Sequence, residues 1–392
     1  MLLVMLFLGV GIAYLLQKNL YRRFWNRNLT TSVSFTQKSA FEGETSALQE
    51  VIVNDKLLPL PALEVRLSMD RNLEFVSGAK DNSSISDLSY KRDIFSLFGR
   101  QKIVRTLPFV CRKRGFYRIQ RAGVIGYDFF FHEGGYQEAR QDAQFFVYPR
   151  PVDTARIRPV CRAISGMVLS KNRFYPDPFE FCGIREYLPT DPMHTVNWKA
   201  SAKNGSLMVN QYDSTTSVHL TILLDVTDEG IWKYEALTEE SIRIAASLAA
   251  RLAAQNMELD IVSNGVCSYP GEAKRQGSLS MHLKAGSGQM PELNRALACM
   301  DTGKKTQPIA EVIAAETAKH KREHIYILIS KNQDETLLPR LRALAGGDNQ
   351  ILWIVPLHPA MEFMLSQAAG IRAVRWEVTA YFHAVKIGRA HV

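Results

Sequence analysis

The chain opens on an unbroken apolar run, MLLVMLFLGVGIAYLL over residues 1–16, with no polar face at helical spacing. At about 1.5 Å per residue such a helix reaches roughly 24 Å, short of a hydrocarbon core of about 30 Å, so flanking residues complete the span. Lys18, Arg22, Arg23 and Arg27 follow, with Tyr21, Phe24 and Trp25 as interfacial residues. A removable leader would carry positive charge before its apolar run and small residues after it, and this segment has neither. The pattern predicts a transmembrane anchor over residues 1–28, with its basic flank and the soluble part in the cytoplasm and the protein at the cell membrane.

From about residue 31 to 152 the period shortens to two. Alternating or β-branched runs at 32–36, 48–53, 63–68, 103–111, 116–119 and 144–148 are separated by turn-rich pieces such as FEGE, DNSS and HEGG. Short strands without intervening helices predict a β-rich, sandwich-like module. Residues 81–93 read as a long exposed connection. His132, beside Glu133, reads as a loop residue.

From about residue 158 strand and helix patterns alternate. Residues 218–226 (VHLTILLDV) form a continuous apolar run ending in an aspartate, as in a strand buried on both faces of a parallel sheet. A helix is predicted up to Gln255, with Glu239 and Glu240 favouring its start and Ala245, Leu248, Ala249 and Leu252 at helical spacing. Strands at 258–263, 324–330 and 350–356 and helices near 309–321 and 335–345 follow. The expected architecture is an open, mostly parallel α/β sheet with helices on both faces, whose ligand sites lie at the carboxyl ends of the strands. Asp225 and Ser330 stand at two such ends.

With 392 residues the chain holds two domains of ordinary size, and 46% hydrophobic with 22% charged residues argues against extensive disorder. The net charge of +9 concentrates in two places. One is the flank of the apolar run. The other is the acid-free stretch 94–127, with Arg100, Lys102, Arg105, Arg112, Lys113, Arg114, Arg118 and Arg121, read as a solvated basic face of a sheet. Single-stranded nucleic acid would need Phe109, Phe116 and Tyr117 exposed among those charges, whereas strand spacing places them in a core. Five cysteines, Cys111, Cys161, Cys182, Cys267 and Cys299, are odd in number and lack close metal-ligand spacing, which suits reduced thiols.

Between the two modules lies FEFCGIREYLPTDPMHTVNWKASAKNGSLMVNQ, residues 179–211. It holds Gly183-Ile184-Arg185-Glu186-Tyr187-Leu188-Pro189-Thr190-Asp191, then Val196-Asn197-Trp198-Lys199-Ala200-Ser201-Ala202-Lys203, Gly205 and Leu207-Met208-Val209. This segment resembles the GxREYxPGDxxRxIxWKxSAR mark of the bacterial domain-of-unknown-function-58 family, in which a von Willebrand factor A-like domain follows. Thr190 takes the place of a glycine, His194 and Thr195 stand where basic residues are common, and Lys203 replaces an arginine. The resemblance covers most of the chain. It implies a von Willebrand factor A-like doubly wound α/β domain within residues 158–386 and, as partner, an AAA+ ATPase of the MoxR type.

Domains of that kind often hold Mg2+ through D-x-S-x-S after the first strand. Here the segment is Asp225-Val226-Thr227-Asp228-Glu229, and Ser330-Lys331 fills the family's acidic position on the later strand. Asp225 and Thr227 suit a cation, Glu229 is too long, and a lysine ammonium repels one. A degenerate site is expected, with Asp225 structural or paired with a nearby base, and no cofactor beyond such a Mg2+ ion.

Nucleophile and base pairs can be drawn from Cys182 with His194, or Ser201 with Lys199 and Lys203, but each lacks an orienting third group, and neither G-x-S-x-G, H-E-x-x-H nor a P-loop occurs. The expected function is therefore that of a non-enzymatic interaction or scaffold protein. Its surface is expected at Arg185, Glu186, Tyr187, Asp191, Trp198, Lys199 and Lys203, with Arg185, Glu186, Asp191 and Lys199 satisfying one another and Trp198 packed against the sheet. Residues 387–392 (IGRAHV) read like nothing before them and are expected to be an artefactual tail.

Overall fold

A computed structural model describes residues 2–76, 83–85, 88–141, 144–174, 181–189, 191–212, 219–228, 232–267, 277–304, 306–334, 336–346, 348–364, 371–379 and 385–386. Thr190, Glu229 and residues 387–392 lie outside them, as does the side chain of Cys182. The chain forms two compact units, residues 1–150 with 297–299, and residues 151–296 with 300–392.

The first unit begins with helix α1 (Leu2–Phe24). Its strands are β1 (Leu29–Phe35), β2 (Ser39–Phe41), β3 (Thr45–Asn54), β4 (Leu60–Asp70), β5 (Leu73–Phe75), β6 (Ser83–Ile85) and β7 (Leu88–Leu97). Then come β8 (Gln101–Cys111), β9 (Gly115–Arg118), β10 (Arg121–Tyr127), β11 (Glu133–Glu138), β12 (Arg140–Gln141) and β13 (Gln144–Tyr148). They build two five-stranded sheets, ordered β12-β1-β3-β8-β5 and β11-β10-β4-β7-β6, and a three-stranded sheet β2-β13-β9. Period-two alternation sends Leu48 and Ile52 of β3 and Leu63, Val65, Leu67 and Met69 of β4 into one shared core with Phe109, Val124 and Phe145. Two sheets facing a common core make a sandwich. Phe35, Phe109 and Phe145 tile part of it, with ring centroids 4.7–5.7 Å apart.

Residues 81–93 are not a plain connection, because β6 and most of β7 fall there. The polar run 89–93 misleads, since β7 pairs with β4 along its length and buries Ser89 and Lys91. The basic stretch is likewise built into the sheets. Arg105 pairs with Asp93 at 2.5 Å and Arg112 with Glu74 at 2.5 Å, while Phe109 and Tyr117 are buried.

Trp25, just past the end of α1, seats the helix on the sandwich. It is buried against the β10–β11 hairpin, where a Cβ on Gly126 would lie 2.3 Å from its ring. Only glycine allows that approach.

The second unit contains α2 (Thr154–Phe174), β14 (Phe181–Glu186), α3 (Trp198–Asn204), β15 (Met208–Tyr212), β16 (Leu220–Leu224), β17 (Trp232–Lys233), α4 (Glu235–Ala254) and β18 (Leu259–Cys267). After these come β19 (Gly277–Leu283), α5 (Met290–Ala298), β20 (Met300–Asp301), α6 (Ile309–Thr317), β21 (Ile325–Ile329), α7 (Leu337–Leu344), β22 (Gln350–Leu357), β23 (Ile371–Glu377) and β24 (Val385–Lys386). The main sheet is ordered β19-β18-β16-β21-β22-β23. β18, β16, β21, β22 and β23 run parallel, with β19 antiparallel at one edge. Every residue of β16 and β21 is buried, so both faces of the sheet centre are covered. Tyr326, Leu328, Trp353 and Val355 meet α6 and α7 on one face.

Helix α2 has no counterpart in the sequence reading. Ile157, Val160, Cys161 and Ile164 are buried at helical spacing, but Pro159 inside the run masks the signal. Pro159 stands in the second turn, where it has no N–H to give the carbonyl of Ala155, so the helix forms at the cost of one ladder bond.

Candidate functional site

The 181–212 segment folds as a clasp. β14 and β15 pair antiparallel as a separate two-stranded sheet, with Arg185 opposite Val209 and Glu186 opposite Met208. A 3-10 turn (Met193–Thr195) and α3 connect them.

Asn197 sets the start of α3: its side-chain oxygen accepts from Ala200 N–H at 3.0 Å, and its amide donates to Asn210 Oδ1 at 2.7 Å. Gly205 ends the helix in the left-handed region at φ 70°, donating its N–H to Ser201 O. Ser201 Oγ donates to Asn197 O and accepts from Met208 N–H, each at 2.8 Å. That hydroxyl closes the clasp. It is engaged in both directions and is not held as a nucleophile.

The turn between β14 and the 3-10 segment is fixed by a two-pronged ion pair. Arg185 donates from Nη1 to Asp191 Oδ2 at 2.6 Å and from Nη2 to Asp191 Oδ1 at 2.7 Å. Asp191 also accepts Leu188 N–H at 2.8 Å. The Arg185 guanidinium, helped by that backbone N–H, lowers the Asp191 carboxyl to about 2.

Of the four charged residues expected to satisfy one another, only Arg185 and Asp191 do so. Glu186 contributes its backbone carbonyl to Arg185 at 3.0 Å and Tyr187 its N–H to Leu207 O at 2.9 Å. Lys199 and Lys203 are exposed on α3, and His194 is exposed on the 3-10 turn. Trp198 corrects the expectation most. Its side chain is 64% exposed rather than packed on the sheet, because it occupies the first turn of a helix that buries none of its residues. Val196, Met208 and Val209 are buried in its stead. Besides Trp198, the clasp exposes Phe181, Ile184, Leu188, Met193 and Leu207.

At the carboxyl end of the parallel strands, Asp225 is 2% exposed and fully bonded. Its Oδ2 accepts Ser330 Oγ–H at 2.6 Å, and its Oδ1 accepts Thr227 N–H at 2.9 Å and Asn264 Nδ2–H at 3.0 Å. Asn264 Oδ1 accepts Val226 N–H at 3.0 Å, which orients its NH2 toward Asp225 and, at 2.7 Å, toward Thr227 Oγ1. Lys331 donates to Asp228 and, at 2.8 Å, to Thr238 Oγ1. Burial pushes the Lys331 ammonium down, and Asp228 works against that shift.

The oxygens that a divalent cation would use are thus engaged as acceptors, Asp225 Oδ1 and Thr227 Oγ1 by N–H donors and Asp225 Oδ2 by the Ser330 hydroxyl. The nearby base pairs with Asp228 and not with Asp225. Asn264, which the sequence does not single out, organises the end of the sheet; its signal is a polar SN pair directly after the apolar Ile261-Val262 of the strand. Among the described residues no group of three or more His, Cys, Asp or Glu could hold a metal ion. Stripping divalent cations with a chelator is expected to leave the melting of the second unit unchanged. A fall in melting temperature that added Mg2+ reverses would contradict this.

No family model and no curated protein matches the chain. Among solved structures it is similar to a CARDB domain from Pyrococcus furiosus in complex with di-metal ions, at 19% identity over 30% of this chain and 84% of that one, TM-score 0.20. It is also similar to a non-cellulosomal cohesin from Archaeoglobus fulgidus, at 14% identity over 33% and 97%, TM-score 0.22. A third similarity is to a cohesin of Acetivibrio cellulolyticus in complex with a dockerin, at 16% identity over 30% and 98%, TM-score 0.24.

Proposed function

We propose that the protein is a membrane-anchored, non-enzymatic interaction protein whose clasp, residues 181–212, receives a protein partner. The observation that carries this reading is the combination of a braced frame with exposed apolar side chains. Arg185 and Asp191 hold the turn, Asn197 and Ser201 hold α3, and Trp198, Leu188 and Met193 are 54–64% exposed on that frame. Preorganised aromatic and aliphatic groups are what interface hot spots consist of.

The domain-of-unknown-function-58 resemblance supports a MoxR-type AAA+ ATPase as the partner and a von Willebrand factor A-like reading of the second unit. A parallel sheet with Asp225 at the end of β16 agrees with that reading. Helix α1 is long and apolar enough to cross a membrane, and the basic residues after its apolar run favour a cytoplasmic soluble part.

A photo-crosslinking residue placed at Lys199 of the full chain, exposed beside Trp198, is expected in native membranes to capture an AAA+ ATPase. Trp198→Ala is expected to weaken that association at least about tenfold. Being exposed, the same substitution should change stability by no more than about 0.5 kcal/mol. Recovery of no ATPase from position 199 would sink the partner assignment, and a large loss of stability in Trp198→Ala would sink the clasp as a docking frame.

A further inference from the structure

Only part of α1 stands clear of the sandwich. Residues 2–13 precede Tyr14, the first aromatic residue of the helix to meet the sandwich, and at about 1.5 Å each they extend roughly 18 Å. A hydrocarbon core of about 30 Å needs about 20 helical residues. If α1 spans the bilayer, the stretch from Tyr14 to Tyr21 must also enter the membrane, and whatever is fastened to those tyrosines goes with it.

The loop from Asp128 to His132 is fastened there. The Phe130 ring lies edge-on to Tyr14 at 5.2 Å, Phe129 lies edge-on to Tyr21 at 5.6 Å, and Tyr14 Oη meets His132 Nε2 at 3.2 Å. Tyr14 and Tyr21, seven residues apart, occupy one helix face two turns apart. The loop has a set shape, because the buried Asp128 carboxylate accepts the N–H groups of Phe130 and His132, both at 2.8 Å. Phe129, Phe130 and Phe131 are nonetheless 58%, 59% and 71% exposed. Three consecutive exposed phenylalanines on one loop hold a contiguous apolar surface in water, which is unfavourable and marks an interaction site.

A second loop lies at the same end of the sandwich. Tyr21 Oη donates to Pro59 O at 2.9 Å, which ties the 55–59 loop to the helix. Asn54 Nδ2 then ties that loop to Phe98 through the carbonyls of Leu58 and Phe98. Leu57 and Phe98 are 76% and 71% exposed. Trp25 in its glycine notch keeps α1 from swinging away. Arg22 and Arg23, in the last turn of the helix, place positive charge where anionic headgroups would meet it.

We infer that the α1 end of the β-sandwich is itself a lipid-binding surface: the Phe129–Phe130–Phe131 loop inserts into the bilayer interface beside α1, and Leu57 and Phe98 rest on it. The first unit is then seated on the membrane and not hung from a free tether. This rests on the reading of α1 as a membrane span.

The test uses the full chain, with Cys182→Ala as background, in phosphatidylcholine–phosphatidylglycerol liposomes. Bimane is attached at Phe130→Cys, Phe131→Cys, Tyr90→Cys or Leu6→Cys, and lipids carrying nitroxides at shallow or deep positions act as quenchers. Tyr90 is the aqueous control. It is 43% exposed and pairs with Ser68, eight residues along β4 from Leu60 and so roughly 27 Å from the α1 end.

Shallow quenchers are expected to remove about half or more of the signal at positions 130 and 131 and little at 90, with deep quenchers acting at 6. Position 131 makes the result independent of the Phe130 ring contact. Quenching at 6 with 130 and 131 behaving like 90 overturns the inference while leaving the anchor standing, and is the result expected if a protein partner covers the loop instead. No quenching at 6 overturns the anchor reading and this inference together.

Discussion

Asp228→Ala is expected to destabilise the second unit by about 3–5 kcal/mol, the cost of leaving a buried cation without its counter-ion. The Lys331 and Asp228 side chains are only 12% and 11% exposed. Asp228 also accepts Tyr234 N–H at 3.1 Å just before α4, so its loss frays the start of that helix as well. For a unit of this size each kcal/mol moves the melting temperature by roughly 2–4 °C, so a fall of about 10 °C is expected. The double variant Asp228→Ala/Lys331→Met removes the stranded charge and should recover most of the loss, because apolar replacements of buried pairs are often neutral. If the single variant melts like the parent, the pair contributes nothing and the account of this site fails. If the double variant melts lower than the single one, Lys331 has another partner that matters more.

A second large effect comes from a carboxyl group in the sandwich. Glu50 lies on the inward register of β3 between Leu48 and Ile52 and is 1% exposed. Burial pushes its carboxyl up to about 7; Arg105, 3.5 Å away, offsets only part of this. Glu64, also in the sandwich and 0% exposed, goes the other way: burial pushes it up, but hydrogen bonds from Arg66, Arg92 and Tyr127 outweigh that and hold it at about 2.

The two glutamates therefore bias stability in opposite senses. For Glu50 the native carboxyl holds its proton more tightly than the unfolded one at about 4.5. Its contribution is fully present below about 4.5 and is lost as pH rises through about 7, a span worth about 3 kcal/mol. Glu64 contributes above the ordinary carboxylate range and loses that contribution only as pH falls toward about 2.

Glu50→Gln fixes the neutral form. At pH 8.5 it is expected to slow hydrogen exchange of the β3 and β8 amides by about a hundredfold relative to the parent, and at pH 5 to leave them nearly unchanged. Equal effects at both pH values would mean that Glu50 stays charged in the fold.

Much of the fold can be read along the chain because each element carries its own periodicity. The runs at 48–53 and 63–68 fall inside β3 and β4, and those at 324–330 and 350–356 coincide closely with β21 and β22. Apolar alternation or continuous apolarity at those positions leaves only a strand with one or two covered faces. Elements whose burial depends on neighbours were illegible. β7 is polar along much of its length and is held by pairing with β4; β19 is the antiparallel edge of a parallel sheet; α2 carries a proline within an amphipathic helix.

The sequence alone determined that an apolar helix precedes a basic flank and that an aspartate ends the first parallel strand. These follow from residue types and spacing, which no packing can alter. Only the tertiary structure decided what those residues do. Arg185 takes Asp191 and leaves Lys199 in solvent, since a rigid guanidinium fork six residues away fits a carboxylate better than a mobile ammonium beyond the turn. Trp198 faces water because α3 buries no side chain. Lys331 pairs with Asp228, 103 residues away in sequence, because parallel strands bring their carboxyl ends together at one edge. The three phenylalanines after Asp128 gain a meaning only when the loop is seen to grip Tyr14 and Tyr21. Charge partners and exposure depend on which distant segments the sheets bring together, and local spacing does not encode that.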